Sequence, residues 1–252
     1  MQLPDAVTAC ALIIGNEILS GRTPDTNLNH LAVTLGGWGI QLREARVIPD
    51  IEAEIVTAVN EARRRFNYVF TTGGIGPTHD DITAECIAKA FGVPLKTHPE
   101  IAALIQQRPA PADVMESRML MARVPEGAVL VDNATGGPPG FRVDNVIVMA
   151  GIPAVMRAML ATLEGKLDRG PVIRSRTVMA YLGESQIAAG LGKIQARYPD
   201  VDLGSYPFFR DNRYGASLVM RGPDAARLEQ MLAEVCAVIV EAGETPHVED
   251  AD

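Results

Sequence analysis

The segment TTGGIGPTHDDIT, residues 71–83, decides the fold and contains most of the candidate site. It follows a short apolar run and places four Gly or Pro residues directly before two adjacent acids, Asp80 and Asp81. Glycines let backbone N–H groups approach an anion, and a helix that follows the loop offers its positive end. The loop is therefore shaped to bind phosphate, although it ends in two charges that repel phosphate.

Two common phosphate-binding loops do not fit this segment. No Gly-Lys-Ser/Thr follows the glycines, which excludes a P-loop, and His79 stands where the dinucleotide fingerprint requires its third glycine. The two acids have two interpretations. Asp80 and Asp81 are typical caps of a helix N-terminus. They are also typical ligands of a divalent metal (Mg, Mn or Co) that lets carboxylates and phosphates share one site.

The elements around the loop predict an α/β domain. Apolar runs at 7–14, 40–48, 68–72 and 145–150 predict strands, and helical patterns alternate with them at 27–35, 51–65, 81–91 and from Pro153. Less regular segments predict one or two helices at 100–122 and short extended pieces at 128–131 and 141–143. Strands that alternate with helices indicate a layered domain with a mostly parallel sheet.

Polar residues follow several of these strands. Parallel sheets bind ligands outside the carboxyl ends of their strands. That edge would carry Gly15, Asn16 and Glu17 after the first strand, Asp50 after the second, the glycine loop after the third and Gly151 after the last. We therefore expect the carboxylates of Glu17, Asp50, Asp80 and Asp81 to converge on one rim.

The order of elements changes near Asp168-Arg169-Gly170-Pro171. Strands at 172–181, 201–208 and 215–221 and helices at 184–197 and 223–241 predict a small α+β domain of βαββα order. We expect an α/β domain over 1–168, the small domain over 172–242 and a frayed acidic tail over 243–252.

Composition excludes several function classes. The chain has 252 residues and a formal net charge of −8, which argues against nucleic acid or a membrane surface as partner. Cys10, Cys86 and Cys236 stand far apart and predict reduced thiols rather than disulfides or a zinc site. No targeting segment or membrane span is predicted, so we expect a cytoplasmic protein.

Taken together, these motifs resemble the molybdopterin-binding fold family, and within it the competence/damage-inducible protein A type. The resemblance rests on the loop at 71–83, GNEILSG at 15–21, DTN at 25–27, GGPPGF at 136–141 and VIVMAGIP at 146–153. It covers residues 6–165, and SRTVMAYLGESQIA at 175–188 is similar to the small middle domain of that family. Asn16 departs from the family, in which Asp is frequent. The amidase domain of nicotinamide nucleotides that many members carry is not in this sequence, so we expect the stand-alone form.

The resemblance implies a three-layer fold and a set of site residues. Asp50, Asp80 and Asp81 would hold a metal, and Glu17 would act with Asp80 and Asp81 in catalysis, by supporting the metal or orienting water. Phosphate and the rest of the ligand would contact Gly15, Asn16, Asn27, Gly73, Gly74, Gly76, Thr78, Gly137, Pro138, Gly140 and Gly151, with 137–140 forming a wall beside the organic part.

Three functions follow from the resemblance. The protein would hydrolyse the diphosphate of an ADP-ribose-like nucleotide with a divalent metal, or bind or adenylylate molybdopterin, or bind a ligand without catalysis. In each case the partner is a small phosphorylated molecule, and the chain would assemble as a dimer or trimer of identical subunits.

Overall fold

The structure, a computed structural model, describes residues 6–210 and 212–249. It divides into a first unit, Val7–Gly170, and a second unit that begins at Pro171. Residues 1–5 of the predicted first domain and 250–252 of the predicted tail lie outside the described residues.

The first unit contains a six-stranded sheet with the order β2-β1-β3-β8-β7-β6. Its strands are β1 (Val7–Ile14), β2 (Ile40–Ile48), β3 (Tyr68–Thr72), β6 (Val129–Val131), β7 (Gly140–Val143) and β8 (Val146–Met149). A separate pair, β4 (Leu95–Thr97) and β5 (Arg123–Pro125), was not predicted. The neighbouring strands β2, β1, β3 and β8 run parallel to one another. Strand β7 is antiparallel to β8, and β6 is antiparallel to β7. The predicted mostly parallel α/β sheet is confirmed.

Helices cover both faces of this sheet. They are α1 (Asn16–Leu19), α2 (Asn27–Gly37), α3 (Glu52–Arg65), α4 (Thr83–Phe91), α5 (Pro99–Gln106), α6 (Ala112–Met119) and α7 (Pro153–Ala161). Successive side chains of β1 point to opposite faces. Leu12 packs in a core cluster with residues of α3 and α4, and Ala11 in a second cluster with residues of α2 and α7. Because both faces of β1 are buried, its sequence is a continuous apolar run, and the unit has three layers.

The second unit forms a four-stranded antiparallel sheet with the order β10-β11-β9-β12. Its elements are β9 (Arg174–Ala180), α8 (Glu184–Arg197), β10 (Asp202–Arg210), β11 (Arg213–Gly222), α9 (Ala225–Glu241) and β12 (His247–Val248). The predicted fraying of the tail is wrong at β12, which pairs with Met179 and Val178 of β9. A strand of two residues is too short to show a strand period in the sequence, so β12 was not predicted. The observed order is βαββαβ, whereas the predicted order was βαββα.

No helix within 6–210 or 212–249 combines the length and the apolar character needed to cross a lipid bilayer.

The first unit has its own stabilising contacts up to its last residue, so we predict that residues 1–170 fold alone. Gly170 N–H donates to the carbonyl of Gly39 at 3.1 Å, and Leu167 is only 7% exposed. Trp38, the one Trp of the chain, packs in the same core cluster as Leu167. Its fluorescence should therefore report one cooperative melting transition of the fragment.

A fragment of residues 1–166 is the matched control. It lacks Leu167 and the 2.8 Å hydrogen bond from the backbone N–H of Asp168 to the Tyr68 hydroxyl. Loss of a buried Leu typically costs about 2–5 kcal/mol, so this fragment should melt at a lower temperature. Aggregation of the 1–170 fragment would contradict an independently folding first unit.

Candidate functional site

The candidate site begins at Gly73, which follows β3 and lies against the ends of the two neighbouring strands, β1 and β8. Gly73 N–H donates to the carbonyl of Met149 at 3.2 Å, and a Cβ on Gly73 would lie 2.1 Å from the carbonyl oxygen of Ile14. Gly73 and Gly74 also have positive φ angles of 104° and 67°. Only glycine meets both requirements, so the loop leaves the sheet in a single fixed direction.

The next backbone groups form a cradle for an anion. Among the described residues, the N–H groups of Gly74, Ile75 and Gly76 have no hydrogen-bond acceptor, and no side chain caps α4. The carbonyl of Gly74 accepts from Thr83 N–H at 3.0 Å, which places the cradle at the start of α4. Successive free N–H groups beside a helix N-terminus bind phosphate through hydrogen bonds and the helix dipole.

Asp81 accepts hydrogen bonds within the loop and does not cap the helix. Its Oδ2 accepts hydrogen bonds from Thr78 N–H at 2.8 Å and from the Thr78 hydroxyl at 2.5 Å. Helix α4 begins at Thr83 with Ile82 as its N-cap, not at Asp81 as predicted, because Asp80 and Asp81 are part of the turns before it. The capping interpretation of the two acids is therefore wrong.

Asp80 is exposed. The neighbouring Thr78 hydroxyl, although it donates to Asp81, is the main cause that lowers the pKa of the Asp80 carboxyl below the ordinary value. A hydrogen bond with its own backbone and the nearby charge of His79 lower that pKa further. A carboxyl group with a lowered pKa carries its negative charge at neutral pH and can therefore bind a cation.

The ends of β1 and β2 bring a second pair of predicted residues together. Gly15 N–H donates to the Ile48 carbonyl at 3.1 Å, and Asn16 N–H donates to Asp50 Oδ2 at 2.9 Å. The exposed Glu17 side chain folds over Gly15, where a Cβ would lie 2.4 Å from Glu17 Oε2. Sheet order places Gly15 and Asn16, which follow β1, next to the strand that leads into the glycine loop, and Asp50 one strand further away.

Asn27 reaches the rim from α2. It is only 4% exposed, and its Nδ2 donates to the carbonyl of Gly151 at 2.8 Å. Gly151 lies against the loop, since a Cβ on it would be 3.2 Å from Gly73 Cα. The Oδ1 of Asn27 is buried and has no partner, which is rare for a buried polar atom and makes it a candidate acceptor for a ligand donor.

The donor set fits a metal only together with a ligand. Among the described residues, no group of three or more His, Cys, Asp or Glu side chains could hold a metal ion, so Asp50 does not join Asp80 and Asp81 in one cluster. Mg²⁺ typically uses one or two carboxylates plus substrate phosphates. The adjacent pair Asp80 and Asp81, beside the N–H cradle, fits that shared mode.

The loop at 133–140 lies at the same edge of the sheet. Phe141 of β7 is opposite Val148 of β8, and a Cβ on Gly140 would lie 2.3 Å from the Val148 carbonyl oxygen. Gly137 and Pro138 line a small cleft of about 180 Å³ next to this edge. Its other lining residues are Leu104, Ile105, Arg108, Arg118, Met121 and Gly136.

The two arginines of that cleft were not predicted. Arg108 donates to the carbonyl of Gly136 at 3.1 Å, and Arg118 donates to the carbonyl of Arg108 at 3.2 Å. Neither belongs to a motif or a periodic pattern, so no sequence signal could have found them. The hydroxyl groups of Thr71 and Thr72, which are buried without partners just before the glycines, were not predicted as site groups either.

The cysteines take no part in the site. Burial raises the pKa of the Cys10 and Cys86 thiols to about 11, and it raises the pKa of Cys236 as well. Protonated thiols are poor nucleophiles and poor metal ligands.

Comparison with known proteins identifies similar chains for each unit. The family model described as "Probable molybdopterin binding domain" matches residues 10–169, and the one described as "FAD synthase, middle domain" matches residues 172–245. A protein of Archaeoglobus fulgidus is 34% identical over 194 residues, which are 77% of this chain and 83% of that protein.

Two further relatives are called CinA. A CinA-like protein of Gemmatimonas aurantiaca is 37% identical over 209 residues, or 77% of this chain; the match spans only 49% of that protein. The crystal structure of the protein CinA from Thermoplasma acidophilum gives a TM-score of 0.60 at 34% identity, over 64% of this chain and 98% of that one.

We predict that Gly73→Ala is far more damaging than a glycine substitution in open space. The added Cβ would meet the backbone of Ile14, so the expected loss of unfolding free energy exceeds about 3 kcal/mol. Gly92 has a φ of 66° with no atom near its Cβ position, so Gly92→Ala should cost about 1 kcal/mol from backbone strain alone. Urea unfolding monitored by Trp38 fluorescence measures the free energy of unfolding of both variants. An equal decrease in the two variants would show that the contact at Gly73 is not rigid.

Proposed function

The chain belongs to the family of probable molybdopterin-binding domains and resembles its CinA-like members, and from that membership we propose a nucleotide diphosphate hydrolase. In this proposal the protein binds an ADP-ribose-like nucleotide at the rim of the first unit and cleaves its diphosphate with a divalent cation. The observation that carries the proposal is the row of unpaired N–H groups at Gly74, Ile75 and Gly76, directly beside two exposed or half-buried carboxylates.

The phosphates would be held by backbone groups. Three N–H donors and the N-terminus of α4 bind negative charge without a long side chain, so they hold phosphoryl oxygens in a fixed position. The glycines at 73 and 74 lack side chains that would cover these donors. Asp81 keeps the loop closed through Thr78, so the cradle is formed before the ligand arrives.

The carboxylates would supply the rest of the reaction. Asp80 and Asp81 would hold a divalent cation, which would polarise a phosphoryl oxygen and neutralise charge on the diphosphate. Glu17 would orient a water molecule and accept its proton while the water oxygen attacks phosphorus. The bond from that phosphorus to the bridging oxygen breaks, which gives AMP and ribose 5-phosphate.

Molybdopterin binding is the second candidate, and the description of the matching family favours it. A pterin ligand also carries phosphate, so it would use the same N–H cradle. The ring edge would offer an N–H donor to the unpartnered Oδ1 of Asn27. Adenylylation would in addition require a place for ATP.

We predict that Asp80→Asn and Asp81→Asn separate the structural role of each acid from its role toward a metal. An Asn at 81 can still accept a hydrogen bond from Thr78 through its amide oxygen. The free energy of unfolding should therefore change by no more than about 1 kcal/mol. Both variants lose a charge that balances the cation. We expect metal-dependent hydrolysis of ADP-ribose to fall on the order of 100-fold in at least one of them.

Asp81→Ala is the matched control, because it removes the acceptor as well as the charge and should lower the melting temperature. Product formation with Mg²⁺, Mn²⁺ or Co²⁺ and thermal shifts with ADP-ribose and a pterin are measured in parallel. Full metal-dependent activity in both Asn variants would contradict the assigned roles. A parent protein that binds a pterin and hydrolyses no nucleotide would favour the second candidate, and binding without any reaction would favour a non-catalytic module.

A further inference from the structure

The second unit has one sheet face that neither of its own helices covers. Helices α8 and α9 pack against alternate residues of the strands, among them Val178, Ala180 and Leu218, which are fully buried. The residues between them point to the opposite face of the sheet, because side chains alternate along a strand. We call this second face the open face.

Residues of the open face form one row across all four strands. Tyr206 of β10 lies opposite Ser217 of β11, Ser217 opposite Met179 of β9, and Met179 opposite His247 of β12. Phe208 continues the same face along β10, where it lies opposite Gly215. Strand β12 extends this row to the fourth strand of the sheet by adding His247.

The aromatic rings lie along the sheet rather than away from it. A Cβ on Gly215 would be 2.4 Å from Phe208 Cζ, and a Cβ on Gly204 would be 2.8 Å from Tyr206 Cε2. Each ring therefore rests over a glycine of the sheet, and Tyr206 is still 55% exposed. The exposed part of the Tyr206 ring is therefore accessible to a flat ligand on this face.

Two guanidinium groups adjoin these rings. Arg213 Cζ lies 4.4 Å from the ring centroid of Tyr181, and its Nη2 donates to Glu244 Oε2 at 3.1 Å. Arg210 Cζ lies 5.7 Å from the ring centroid of Phe208. Tyr181 and Phe208 contact each other edge to face, with centroids 5.5 Å apart. Guanidinium planes stack on flat rings and also donate hydrogen bonds to phosphate.

We propose that the open face binds a free nucleotide, with its base stacked on Tyr206 and Phe208 and its phosphate at Arg210. Aromatic residues on a four-stranded sheet stack bases in known nucleic-acid modules, and the guanidinium of Arg210 complements a phosphate. A long nucleic acid would instead require a broad basic surface, whereas this chain has a net charge of −8. The site lies in the second unit, whereas the proposed diphosphate site lies in the first.

Met179 offers a direct test because it lies in the row between Ser217 and His247 and carries a methyl group that can be observed. The full chain is labelled with ¹³C-methyl methionine, and Met179→Leu assigns the signal. Addition of AMP should shift the Met179 signal in a saturable way through the ring current of the stacked base. Adenosine should bind more weakly for lack of phosphate, and ribose 5-phosphate should cause no shift of this signal.

Variants locate the contact. Tyr206→Ser should weaken AMP binding at least about fivefold by removing a stacked ring. Arg210→Gln should weaken AMP binding but not adenosine binding. Tyr214→Ser is the control: Tyr214 is 76% exposed, but it alternates with the residues of the open face and should leave binding unchanged.

Three results would overturn the proposal. They are the absence of a Met179 shift with AMP, an unchanged shift in Tyr206→Ser, and an eight-residue oligouridylate that binds at least 100-fold more tightly than AMP. The last result would make a single-stranded nucleic acid the occupant. None of these results bears on ADP-ribose hydrolysis at the glycine loop.

Discussion

The close approach of β1, β3 and β8 at Gly73 is the constraint on which the candidate site depends. The carbonyl of Ile14 on one side and the hydrogen bond to Met149 on the other leave no room for a side chain at this position. The chain must therefore turn out of the sheet at once, and Gly74 continues the turn with its own positive φ. The free N–H groups and the start of α4 follow directly from that geometry.

The same constraint explains how acids and a phosphate cradle occupy one loop. One carboxylate oxygen of Asp81 accepts two hydrogen bonds from Thr78, three residues before it, and these bonds close the loop. The N–H groups of Gly74, Ile75 and Gly76 stay unpaired in the earlier half of the loop. In the proposed site, the atoms that would bind phosphate and the atoms that would bind a cation are therefore different atoms of one short segment.

The sequence predicted the rim but not the bonds within it. Buried parallel strands such as β1 and β3 are continuous apolar runs, so their ends, and with them Glu17, Asp50 and the glycine loop, could be located from residue order alone. Whether Asp81 caps a helix or closes a loop depends on which N–H group lies nearest, and both patterns place an acid just before a helix. Asn27 and Arg108 come close to the site only through tertiary packing, which leaves no trace in local periodicity.

The second unit shows what a very short element can contribute. Without β12, β9 would be an edge strand with unpaired N–H and C=O groups, which is a general liability of sheets. Pairing of His247 and Val248 with β9 places it in the interior of the sheet and gives the order known from ferredoxin-like βαββαβ units. His247 then joins Met179 in the row of the open face, and its ring lies 6.2 Å from that of Tyr181. A segment that sequence composition classes as an acidic tail is therefore part of the sheet, and the extent of the open face depends on it.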